Sequence, residues 1–70
     1  MPLTLVAIGQ KCIIKSFACS CDMRMRMANM GFFTGCLVEV ISRINGTLLV
    51  KIGPSRLMLD SCLANQIQVH

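Results

Sequence analysis

Sulfur is the most reactive chemistry this chain carries, with five cysteines and six methionines in 70 residues. Cys19 and Cys21 stand two apart around Ser20. Two thiolates at that spacing can reach one soft metal ion, or a resolving thiol can sit beside a reactive one. A closed zinc site needs about four ligands, and the one histidine, His70, is the last residue. Cys12, Cys36 and Cys62 fall on expected strands or in a late turn, where cysteine acts as a small hydrophobe. The expectation is that no cofactor is required. If a divalent transition metal binds, Fe2+ or Zn2+, its candidate ligands are Cys19 and Cys21.

Methionine also serves soft metals, but the spacing of Met23, Met27 and Met30 is i, i+4 and i+7. That pattern puts three apolar side chains on one helical face, toward a core. Met25 lies off that stripe, beside Arg24 and Arg26. The two arginines can meet phosphates or an acidic partner, although a solvated helix face asks less of them. The expected contact surface is Arg24, Met25 and Arg26, together with Leu49 and Lys51 on a later hairpin.

Catalysis has little to stand on. The only carboxylates, Asp22, Glu39 and Asp60, are spread along the chain, and two of them suit helix caps. No nucleophile has a base near it in sequence, and no GxxxxGK[ST] loop is present to cradle phosphates. A chain of this length leaves little room for a substrate pocket beside its core. The reading is a non-enzyme.

The elements that must position these residues are short. Pro2, Leu3, Val6 and Gly9 outline one helical turn. Lys11 to Phe17 alternates as a half-buried strand, and Phe17 breaks the alternation, which predicts a bulge near the strand end. Ser20 or Asp22 caps a helix that runs toward Gly31, and Asp22 has the favourable charge for that end. Gly31 sits where a left-handed C′ residue is wanted, which places Phe32 to fold back on Met27.

Cys36 to Ile44 is the next strand. Asn45-Gly46 then predicts a type I′ hairpin, whose two central residues both need positive φ. Thr47 to Ile52 returns, with Leu48, Val50 and Ile52 inward. Gly53-Pro54 turns the chain into Arg56 to Leu59. Asp60 or Ser61 caps one helical turn through Ala64, and Ile67 to Val69 closes the set. Five short strands with tight turns imply a strongly bent barrel, with its edges hidden by closure.

Composition bounds the class. The length fits one domain, residues 1–70. Hydrophobic residues make up 54% of the chain, which supports a core and leaves apolar surface for a partner or for self-association. The net charge of +4 comes from seven basic and three acidic residues, with no basic block. Nucleic-acid binding favours a basic stripe with stacking aromatics, and Phe17, Phe32 and Phe33 do not alternate with the basic residues, so no nucleic-acid partner is expected. No apolar run reaches the ~18 residues of a membrane span, and no signal peptide is visible. The expected location is the cytoplasm, with the thiols reduced and no membrane insertion.

In order, the chain reads Leu3-x-x-Val6-x-x-Gly9, Cys12-x-Ile14, Arg24-x-Arg26-Met27-x-x-Met30-Gly31-x-x-x-Gly35, Val38-x-Val40-Ile41, Leu57-Met58-Leu59 and Ala64-x-x-Ile67-x-Val69. This ordered set resembles the FeoA family, ferrous-iron transport protein A, over essentially the whole chain. The resemblance implies an SH3-like β-barrel with a short helix inserted after the first strand. It also implies a cytoplasmic accessory of bacterial ferrous-iron uptake, whose partner is a FeoB-like membrane GTPase permease. The same module occurs in metal-responsive repressors, so transition-metal binding is often inferred for it. Asp60 stands where a basic residue is usual and Leu63 where an acidic one is. Cys19 and Cys21 lie outside the pattern.

Overall fold

The computed structural model describes residues 1–70. A 3-10 turn, Leu3–Leu5, leads into β1, Lys11–Phe17, and then helix α1, Cys21–Asn29. Strands β2, Leu37–Ile44, β3, Thr47–Ile52, and β4, Ser55–Asp60, come next as a meander. A single turn, α2, Ser61–Ala64, and a short β5, Ile67–Val69, end the chain. The strands form one antiparallel sheet in the order β4-β3-β2-β1-β5.

The meander follows from local chemistry. Asn45 and Gly46 both take positive φ, 49° and 77°, as the hairpin turn predicts. Along β3 the burial alternates, with Leu48, Val50 and Ile52 inside. Cys12 and Ile14 of β1, Val38 and Val40 of β2, Leu59, Ile67 and Val69 join them. Leu3 and Val6 from the 3-10 turn fill one end of this core, and Met27 and Phe32 are buried in it from α1 and its exit turn.

Two irregularities aim side chains. In β1 the register shifts between Ile14 and Ser16, which pair with Val69 and Gln68. The expected bulge is there, and it turns Phe17 inward, where its ring meets Phe32 edge-on at 6.4 Å. A second shift, not foreseen from the sequence, lies between Val40 and Ser42 of β2. Beyond it Arg43, rather than Ser42, stands opposite the buried Leu48. An extra residue reverses the side-chain parity of the rest of the strand.

Two expectations need correction. Met30 does not join the buried methionine stripe: it is the C-cap of α1 and 48% exposed. The helix ends before a third methionine can come round to the core, leaving Met27 buried and Met23 half-buried. The sheet edges are also not both hidden by closure, because β4 and β5 stand at opposite ends of the strand order. The β5 end is covered instead by the N-terminus: Pro2 bridges Gln68, and Val69 N–H donates to Met1 O at 2.7 Å.

Candidate functional site

Helix α1 carries the first group of candidate residues, and its ends are set by side-chain and backbone chemistry. Ser20 Oγ accepts from Met23 N–H at 3.2 Å, which satisfies a free amide of the first turn. At the other end Gly31 takes φ +90°. Phe32 N–H donates to Met27 O at 2.8 Å and Gly31 N–H to Ala28 O at 3.0 Å, the bond pair of a Schellman cap. This exit buries Phe32 and leaves Phe33 exposed beside the helix.

The result is an open cleft of about 330 Å³ lined by Phe17, Arg24, Met25, Ala28, Phe32, Phe33 and Thr34. Met25 is 65% exposed on it. An apolar floor with one guanidinium on the rim suits a partner side chain that is itself apolar with an acidic neighbour. Arg26, also exposed, lies in the last turn of α1 and lines none of the clefts.

The hairpin residues stand elsewhere. Lys51 lines a second cleft, of about 200 Å³, with Lys11, Leu37, Glu39 and Gly53. Register makes this a charged rung across four strands, Lys11 to Glu39 to Lys51 to Arg56. Residues directly opposite in adjacent strands share a face, so Lys11 and Lys51 flank Glu39 on the sheet's outer side, with Arg56 beyond Lys51. The neighbouring rung is Ser42, Leu49 and Met58. Leu49 is half-buried and Met58 is 66% exposed. The five expected contact residues thus divide between a helix cleft and a sheet face.

The cysteines are likewise apart. Cys21 is exposed, and Arg24 Nη2 reaches its Sγ at 3.8 Å. Cys19 is half-buried and lines a third cleft, of about 310 Å³, with Ser20, Met23, Asp60, Cys62, Leu63 and Gln66. Asp60 Oδ1 there accepts from Leu63 N–H at 2.8 Å and so caps α2. Cys36 Sγ donates to Gly31 O at 3.2 Å. Cys12 is buried under β1, and burial pushes its thiol above the ordinary range, because the anion would lose its solvation. No three of His, Cys, Asp and Glu stand together as a metal group, so the chain does not supply a closed four-ligand zinc site.

Among the residues outside the predicted set that line these clefts are Phe33 and Cys62. Phe33 follows directly from the glycine cap, which buries one phenylalanine and exposes the next. Nothing local marks Cys62; only the pairing of β1 with β5 brings the turn before β5 against Cys19.

Comparison with known proteins agrees with the shape. A crystal structure of an iron uptake regulatory protein, FeoA, is similar at a TM-score of 0.88 and 23% identity, covering 99% of this chain and 93% of that one. Stenotrophomonas maltophilia FeoA in complex with zinc, described as an SH3 domain protein, is similar at 0.84 and 22% identity, covering 100% and 89%. A manganese-dependent transcriptional repressor contains the same fold at 0.87 and 21% identity, with 99% of this chain matching 40% of that one. No curated protein sequence matches the chain. No helix is long and apolar enough to cross a membrane. The FeoA domain model matches residues 1–70, and the chain, an SH3-like β-structure with one short inserted helix, belongs to the FeoA domain family.

Proposed function

We propose that this chain is a non-catalytic accessory of bacterial ferrous-iron uptake that binds and modulates a FeoB-like GTPase permease from its cytosolic side. The match of the FeoA domain to the full 70 residues carries this reading. The Stenotrophomonas maltophilia relative, described as a candidate ferrous iron transport activating factor, points the same way. The chain acts as one domain and inserts no segment into the bilayer.

Contact is made through the exposed basic and apolar groups. On the helix these are Arg24, Met25 and Arg26; on the hairpin they are Leu49 and Lys51. Both faces combine cations with exposed or half-exposed apolar side chains. Acidic partner surfaces complement such faces, and charge complementarity steers encounter and selects partners.

The test is a titration of the reduced protein against the cytosolic GTPase domain and against the full-length permease, with and without ferrous iron. The reading expects saturable binding to at least one of the two. The double variant Arg24→Glu, Arg26→Glu is expected to weaken it by roughly tenfold, through a slower association that is sensitive to salt. Absence of binding to both the domain and the whole permease, with and without iron, overturns the reading.

A further inference from the structure

The third cleft is lined by sulfur-bearing residues from two distant parts of the sequence, Cys19 and Met23 on one side and Cys62 on the other. Cys19 lies just before α1, Met23 in its first turn, and Cys62 in α2; all three line the same open cleft. Their backbones are held. Ser20 caps α1 through Met23 N–H, and Asp60 caps α2 through Leu63 N–H. Between them Ala18 N–H donates to Gln66 O at 2.7 Å, which ties the segment before Cys19 to the exit of α2. The thioether and both thiols therefore sit on well-anchored elements around accessible space, with Cys62 exposed and Cys19 half-buried.

We propose that Cys19, Met23 and Cys62 form a site for a soft monovalent metal ion, copper(I) or its silver(I) analogue. Thiolate and thioether donors select copper(I) over harder ions. Hard and borderline divalent ions want more ligands than this cleft offers: Asp60 also lines it, but no three of His, Cys, Asp and Glu stand together as a metal group. The cleft offers copper(I) the thiolate and thioether donors that suit it, from Cys19, Met23 and Cys62. Asp60, the carboxylate on the cleft wall, is engaged by Leu63 N–H. The thiols coordinate as thiolates, so binding releases both thiol protons to solvent and tightens as pH rises. Cys21, turned to Arg24 Nη2, takes no part. The site is independent of any contact with a permease.

The experiment is an anaerobic titration of the reduced, full-length chain with copper(I) against a colorimetric chelator, paired with the ultraviolet charge-transfer band of copper–thiolate bonds. One equivalent is expected, with the band present. Even groups that only support a ligand are worth about 10–100-fold in affinity, so Cys19→Ser and Cys62→Ser should each lose at least about 100-fold. Met23→Leu keeps the side-chain volume and should weaken binding by about tenfold, less than loss of a thiolate. Cys21→Ser should bind as the parent does. Circular dichroism of each apo variant confirms that the fold is kept. Failure of the parent to bind one equivalent overturns the site, as does parent-like binding by Cys62→Ser or loss of binding in Cys21→Ser.

Discussion

Arg43 Nη2 donates to Val6 O at 3.0 Å across 37 positions of sequence, and to Thr4 O at 2.9 Å. One guanidinium thus holds the carbonyls of the opening 3-10 turn against β2. It reaches them because the shift between Val40 and Ser42 turns Arg43 to the side of the buried Leu48. Val6 and Leu3 are buried under that turn, so the bonds fasten one end of the core. Truncating Arg43 to Ala should cost about 1–2 kcal/mol, near the lower range for hydrogen bonds to charged groups because Arg43 itself is exposed. Urea unfolding should show a lower midpoint at an unchanged slope.

The methionines of α1 should separate sharply. Met27 is fully buried and Met30 is a surface C-cap. Met27→Ala is expected to lose about 2–5 kcal/mol, a large share of what a small domain has. Met30→Ala should stay within about 0.5 kcal/mol. Thermal or urea unfolding of the two variants side by side reads the difference.

Gly31 tests the cap directly. A Cβ built there meets nothing within 4 Å, so no clash is expected. The backbone nevertheless sits at φ +90°, a region that costs residues with a Cβ about 1–2 kcal/mol. Gly31→Ala should therefore destabilise by that amount without changing the fold, measured by chemical denaturation with a matching circular dichroism spectrum.

Cys12 links stability to pH. Burial raises its folded-state pKa above the unfolded value. Below the unfolded value, about 8.5, the thiol is neutral in both states and its contribution is fully present. As pH rises toward the folded value the unfolded chain ionises first, so stability falls. Cys12→Ala, which costs stability at all pH by leaving a small void, should show a flatter fall above that pH in denaturant midpoints. Alkylation of the native protein should reach the exposed Cys21 and Cys62 before Cys12.

The two proposed contact faces should behave as separate parts of an interface. Arg24 and Met25 line one cleft and Lys51 another. If both faces meet the permease, losses from Arg24→Glu and Lys51→Glu in binding free energy should add within about 0.5 kcal/mol, the behaviour of sites without shared partners. Titration of the single variants and the double variant checks this.

The local sequence determined much of the fold. Ser20 before the helix, Gly31 after it, Asn45-Gly46 in the hairpin and Asp60 before α2 are all read from rules that span a few residues: orphan amides need acceptors, and positive φ favours glycine and asparagine. The strand β1 and its bulge were legible for the same reason, since Phe17 broke a period of two. The family resemblance lay in the ordered glycines and apolar positions, and the exposure of Arg24, Met25 and Arg26 followed from the helical period.

Tertiary structure decided what depends on distant partners. The β2 irregularity, which aims Arg43 at Val6, has no mark of its own in Ile41 or its neighbours. Met30 leaves the core because the cap stops the helix before it, so periodicity alone extended the stripe too far. The rung from Lys11 to Arg56 exists only through strand register. Cys19 shares a cleft with Cys62 because β5 pairs with β1 and carries α2 toward the start of α1. Spacing in sequence controls neighbours within one element, and only the packing of separate elements sets which side chains share a cleft.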